Sequence, residues 1–162
     1  MAQRAGIEVS TRLDAGPDEV WARIATPEGI NDELRPWMRM TAPGGGELNL
    51  DTIEAGEGIG RSWVLLFGLI PIDYDDITIV ELDRGRGFVE RSTMLSQRAW
   101  EHIRTIRPDD GGSVVTDAIS WEPRLPISAG ALRPLFRTIF GHRHRRLVRH
   151  FGGGPAGGAA GD

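Results

Sequence analysis

A series of strand-like segments at regular spacing, closed by one long helix with a single apolar stripe, restricts the fold of this chain more than any other feature. Segments over residues 60–67, 74–82, 87–94, 98–107 and 113–121 follow one another with turn residues between them. Asp83-Arg84-Gly85-Arg86-Gly87 and Pro108-Asp109-Asp110-Gly111-Gly112 are the clearest of these turns. Pro123 and Pro126 end the last strand. Beyond it, Leu132, Leu135, Phe136, Ile139, Phe140, Leu147, Val148 and Phe151 recur at three- and four-residue steps, which predicts a helix within 128–151. Pro134 either kinks that helix or lies near its start. A sheet of several strands must cover one face, and a helix of about 20 residues, roughly 30 Å long, is the only element here able to do so.

The segments before residue 60 complete the plan. Residues 7–13 alternate apolar and polar, as a half-buried strand does. Pro17, followed by Asp18 and Glu19, opens a short helix whose stripe is Val20, Trp21 and Ile24. A second short helix is predicted over 27–34 and a short strand over 37–41. Residues 47–58 read as a loop or irregular hairpin. The expected order is strand, two short helices, six further strands and a long helix, one α+β domain over residues 1–151. Residues 152–162, rich in Gly and Ala, are expected to be a disordered tail.

Composition narrows the chemistry. The 162 residues include no Cys, which removes disulfides and thiolate chemistry. They include no Lys either, so all 19 strong cations are Arg and a Schiff-base mechanism is excluded. Residues 1–124 hold 13 Arg against 22 acids, and residues 125–162 hold six Arg against one acid. An acidic body with one basic helix is a poor nucleic-acid profile. Residues 1–6 lack a secretory h-region, and the apolar run over 63–72, broken by Gly68 and Pro71, is short of the roughly 20 residues a membrane span needs. A cytoplasmic monomer or homodimer is expected, without membrane contact. Gly56-Glu57-Gly58-Ile59-Gly60 precedes a strand, not a helix, and is not read as a phosphate loop. His142, His144 and His150 lack the spacing of a metal face, so neither metal nor cofactor is expected.

Several stretches resemble one superfamily. The opening IEVSTRLDAGPDEVWARIATPEGI, the hairpin ELDRGRGFVERS, the segment RAWEHIRTIRPDDGGSVVTDAISWEP and the close FGHRHRRL are similar to SRPBCC proteins. That group holds START lipid-transfer domains, pollen-allergen-like proteins and polyketide cyclase/dehydrases, and the last two motifs resemble the cyclase-like branch. The resemblance implies a helix-grip fold, a curved antiparallel sheet of about seven strands around the C-terminal helix. It implies a cavity between them for a small hydrophobic or amphipathic molecule. The alternative is a cyclase- or dehydratase-like enzyme on the same scaffold, since the fold alone does not decide function.

The candidate site follows from strand alternation. Trp100, His102 and Arg104 share one face of their strand. If that face is concave, Arg104 can pair with a ligand carboxylate or phenolate and His102 can move a proton. If the other face is concave, Trp100 and Arg104 stack on the surface. Trp37, Trp63, Phe136 and Phe140 are the other expected cavity residues. Asp117 is either half of a structural ion pair or, with His102 and Glu90, a catalytic group. Asp75 and Asp76, on opposite faces of one strand, are expected to be solvated or edge charges.

Overall fold

The computed structural model describes residues 4–46 and 48–156. The chain runs β1 (Ala5–Leu13), α1 (Pro17–Ile24), α2 (Pro27–Leu34), β2 (Met38–Met40), β3 (Gly58–Leu66), β4 (Ile70–Asp83), β5 (Gly87–Met94), β6 (Gln97–Asp109), β7 (Gly112–Pro123), α3 (Arg133–Phe151) and β8 (Gly153–Pro155). The strands form one antiparallel sheet in the order β2-β3-β4-β5-β6-β7-β1-β8. Register shifts in the β3–β4, β4–β5 and β6–β7 ladders bend these long strands, as bulges do. The helix α3 lies across the sheet with Phe140, His144 and Leu147 buried. This is the helix-grip α+β architecture, with two short helices after the first strand.

Local chemistry explains the boundaries. Pro17 and Pro27 sit in the first turns of α1 and α2, and the Thr26 hydroxyl accepts from the Gly29 amide at 3.1 Å to cap α2. Pro134 stands in the first turn of α3, so it starts the helix and does not kink it. Asn31 on α2 treats β2 as a strand neighbour would. Its amide oxygen accepts from Met40 N at 2.8 Å and its amide nitrogen donates to Met40 O at 3.2 Å.

The sheet has eight strands, not about seven. Gly153–Pro155 pairs with Thr11–Leu13, in a stretch expected to be disordered. A Cβ at Gly153 would stand 2.0 Å from the Arg12 carbonyl oxygen, so only glycine permits this approach. The composition that reads as a linker is here what allows the backbones to meet. Residues 157–162 of the expected tail lie outside the described residues.

Two apolar clusters fill the space under α3. One gathers Leu13, Val20, Trp21, Ile24, Ile106, Val115 and Leu147. The other gathers Ile7, Trp100, Ile119, Trp121 and Phe140. In the β6–β7 register Trp100 faces Trp121, His102 faces Ile119, Arg104 faces Asp117 and Ile106 faces Val115. The Arg104–Asp117 step therefore lies between the apolar Ile106–Val115 step and the His102–Ile119 step.

Candidate functional site

The concave face of β6 is the one carrying Trp100, His102 and Arg104, all buried. Together with Glu90 of β5, Asp75 of β4 and Phe136, Phe140 and Arg143 of α3, they line an inner chamber of about 150 Å³. Its other walls are aliphatic, among them Ile24, Leu50, Ile77 and Ile79. A cavity of about this size holds a benzene-sized molecule. A wider groove of about 650 Å³ adjoins it, separated only by side chains that both touch, including Leu34, Met38, Val64, Phe136 and Arg143. Trp37, Ile72, Leu125, Ile127 and Leu135 form the groove's exposed apolar margin. Aromatic contacts hold the inner wall. Trp100 lies 5.2 Å from Phe136 and 6.2 Å from Phe140, and Phe140 meets the His102 ring at 5.2 Å.

Beneath the chamber the charged groups form one closed network. Arg104 donates from Nε to Asp117 Oδ1 at 2.7 Å and from Nη2 to Asp117 Oδ2 at 2.6 Å. It also donates from Nη1 and Nη2 to the two oxygens of Glu33 at 2.6 and 2.9 Å. Asp117 further meets His102 Nε2 at 2.8 Å and His144 Nε2 at 3.0 Å. Glu33 takes a last bond from Arg143 Nε at 2.9 Å. Burial alone would raise the Asp117 carboxyl, but the charges of Arg104 and His102 and their hydrogen bonds hold it well below the usual carboxylate range. Glu33 is likewise penalised by burial and lowered by Arg104 and Arg143. Burial disfavours the His102 imidazolium, yet Asp117 and Glu90 raise its pKa.

Asp117 is accordingly the centre of a structural ion-pair network, and it does not reach the chamber wall. Arg104 needs a correction too. Four of its five N–H groups point at Asp117 and Glu33, so it is not free to pair with a ligand carboxylate. Trp63 is not a cavity residue. Ser62 and Val64 take the inward positions of β3, which turns Trp63 outward against Tyr74, 5.7 Å away. Trp37 stands at the groove margin, 53% exposed.

Asp75, expected as a solvated or edge charge, belongs to the site, and so do His144, Arg143 and Glu33, which the sequence did not place there. Asp75 is 5% exposed and faces the chamber, while its neighbour Asp76 forms a two-bond pair with Arg61 on the outside. Its signal was the alternation Asp75, Ile77, Ile79, an acid on an apolar face. His144 could have been found at the four-residue step between Phe140 and Leu147 on the buried stripe. Arg143 and Glu33 carry no such signal, because their partners lie on other elements. On the basic helix Arg143 and Arg146 bind Glu33 and Asp32 of α2. Among the described residues no group of His, Cys, Asp or Glu is arranged to hold a metal ion. No helix among them is long and apolar enough to cross a membrane.

Solved structures share this architecture at low identity. The protein CV1439 from Chromobacterium violaceum aligns at a TM-score of 0.71 and 13% identity, covering 91% of this chain and 96% of that one. A START superfamily protein from Mycobacterium smegmatis aligns at 0.66 and 8% identity, covering 90% and 96%. Ara h 8.0201 aligns at 0.59 and 10% identity, covering 91% and 99%. These likenesses uphold the SRPBCC resemblance at the level of the fold. No curated protein matches the sequence. The model of one sequence family spans residues 11–151, nearly the whole described chain, and the protein belongs to that family, a domain of unknown function designated DUF8410.

Proposed function

We propose that this protein binds a small hydrophobic or amphipathic molecule in the chamber between the sheet and α3. The observation that carries the reading is an apolar chamber of about 150 Å³, adjoining an open groove, with charged neighbours bonded mainly to one another. Burial of apolar ligand surface supplies affinity at roughly 25 cal/mol per Å² before the costs of association. A few polar atoms fix orientation. Trp100 lines the chamber and reports on it. Titration with the neutral apolar dye N-phenyl-1-naphthylamine is expected to give a saturable change in tryptophan emission, most of it lost in Trp100→Phe. The same change in that variant would place the dye elsewhere and sink the assignment. Native mass spectrometry of freshly purified protein is expected to show a co-purified small molecule.

A cyclase- or dehydratase-like activity is the second reading. It is favoured by the row Glu90, His102, Asp117, in which His102 Nδ1 faces Glu90 at 3.7 Å and Nε2 meets Asp117 at 2.8 Å. The same geometry turns both ring nitrogens toward protein carboxylates, which weighs toward binding. An enzyme of this kind would lose turnover in Glu90→Gln while still binding its substrate.

A further inference from the structure

The inner end of the chamber is lined by two carboxyl groups. Asp75 on β4 and Glu90 on β5 both line it, and both are nine-tenths or more buried. Asp75 Oδ1 receives no N–H or O–H bond among the described residues. The nearby donors are committed elsewhere. The Ser92 hydroxyl goes to Glu90 Oε1 at 2.8 Å, His102 Nε2 to Asp117 with Nδ1 turned to Glu90 at 3.7 Å, and Arg104 to Asp117 and Glu33. Asp75 also meets the Glu90 carboxylate beside it, and its unbonded Oδ1 is left for whatever enters the chamber, because an unbonded polar atom in an apolar site is costly. An incoming anion would meet two carboxyls with no unpaired cation beside them. Arg143, the other cation on the wall, bonds Glu33 through Nε and lies over the Phe140 ring at 5.0 Å, with its charge paired to Glu33.

We propose that Asp75 and Glu90 are the polar anchor of the chamber, selecting a ligand with an uncharged hydroxyl at its inner end and rejecting one with a carboxylate there. A hydroxyl both donates and accepts, so it can complete Asp75 whichever oxygen it meets. Burial and the neighbouring Glu90 charge raise the Asp75 pKa to about 10, so this residue is a neutral acid at physiological pH. The anchor thus carries a single negative charge, on Glu90, opposite His102. A phenol or alcohol with an apolar body fits this end, with its remainder extending into the groove.

The inference rests on the ligand-binding reading above, and the test separates the two. Titration calorimetry at pH 7 compares butylbenzene, 4-butylphenol and 4-butylbenzoate on the intact chain. The phenol is expected to bind about tenfold more tightly than butylbenzene, the effect of one buried hydrogen bond, and the benzoate more weakly than the phenol by at least as much. In Asp75→Leu the phenol's advantage over butylbenzene is expected to fall to within about twofold, while Asp75→Asn, which keeps a neutral donor and acceptor, preserves it. Benzoate binding as tightly as phenol overturns the anchor and points to Arg143 as the ligand's partner. A phenol advantage that survives in Asp75→Leu also overturns it. If Asp75→Leu fails to fold, the wild-type ranking and Asp75→Asn still decide. Failure of all three probes to bind overturns the binding reading itself and this inference with it.

Discussion

Arg104 and Asp75 show how differently two buried ionisable groups can be treated in one cavity. Arg104 is surrounded by partners, and its network is destabilised most by taking one of them away. Asp117→Ala would leave Arg104, His102 and His144 facing an empty site, and a loss of about 3–5 kcal/mol is expected in denaturant unfolding. Asp75 stays buried by keeping its proton. Its folded pKa lies above the ordinary value of 3.8, so the native state binds the extra proton and stability falls as pH rises from there toward about 10. Asp75→Asn removes that dependence. Urea unfolding of the variant and the wild type at several pH values should show the variant gaining with pH, by at most about 1.4 kcal/mol per unit. Alternation along β6 correctly grouped Trp100, His102 and Arg104, but periodicity gives faces and not partners. It could not show that Arg104 would be saturated by Glu33, 71 residues away. The same logic misjudged Asp75. Two adjacent acids cannot face one site, yet one of them can, and the apolar residues at 77 and 79 pointed to which.

At the scale of elements, α2 is fastened on two sides. Asp32 and Glu33 bind Arg146 and Arg143 of α3, and Asn31 binds both backbone atoms of Met40. Asn31→Ala leaves the Met40 amide and carbonyl without these partners, and a loss of about 1–3 kcal/mol is expected, with faster amide exchange confined to β2 and the end of α2. Both short helices were legible, because proline and early acids are local signals, while the Thr26 cap emerged only in the structure. The eighth strand was not. Gly153–Pro155 has no strand propensity, and its pairing depends on the absence of side chains beside Arg12 and Leu13. On the central helix, Phe140 touches Trp100 and the His102 ring at once. Phe140→Ala is expected to cost about 3–5 kcal/mol in thermal or chemical unfolding.

For the whole molecule, the buried groups set a window of pH stability. Glu33, Glu90 and Asp117 have lowered folded pKa values, so their contribution is present above the ordinary carboxylate range and is lost as pH falls through the folded values. The raised His102 contributes fully below 6.5 and loses that contribution as pH rises through its folded value. Asp75 adds a further decline on the alkaline side. The melting temperature is expected to peak on the acid side of neutrality, and a maximum at pH 9 would contradict the charge states assigned here. The order of elements made the architecture readable, since a multi-strand sheet and one long amphipathic helix leave few arrangements. The charged network was out of reach because it joins segments that only the finished fold brings together.

That joining has a consequence for how the chain assembles. Glu33 meets Arg143 across 110 residues, Asp32 meets Arg146 across 114, and Asp117 meets His144 across 27. Each of these last partners belongs to α3, which follows α2, β6 and β7 along the chain. Without α3, Asp117 would lose His144, Glu33 would lose Arg143, and the β6–β7 face would lie open to water. Packing of α3 across the sheet covers the trough, completes these ion pairs and walls the chamber, so the chamber exists only while the helix is docked.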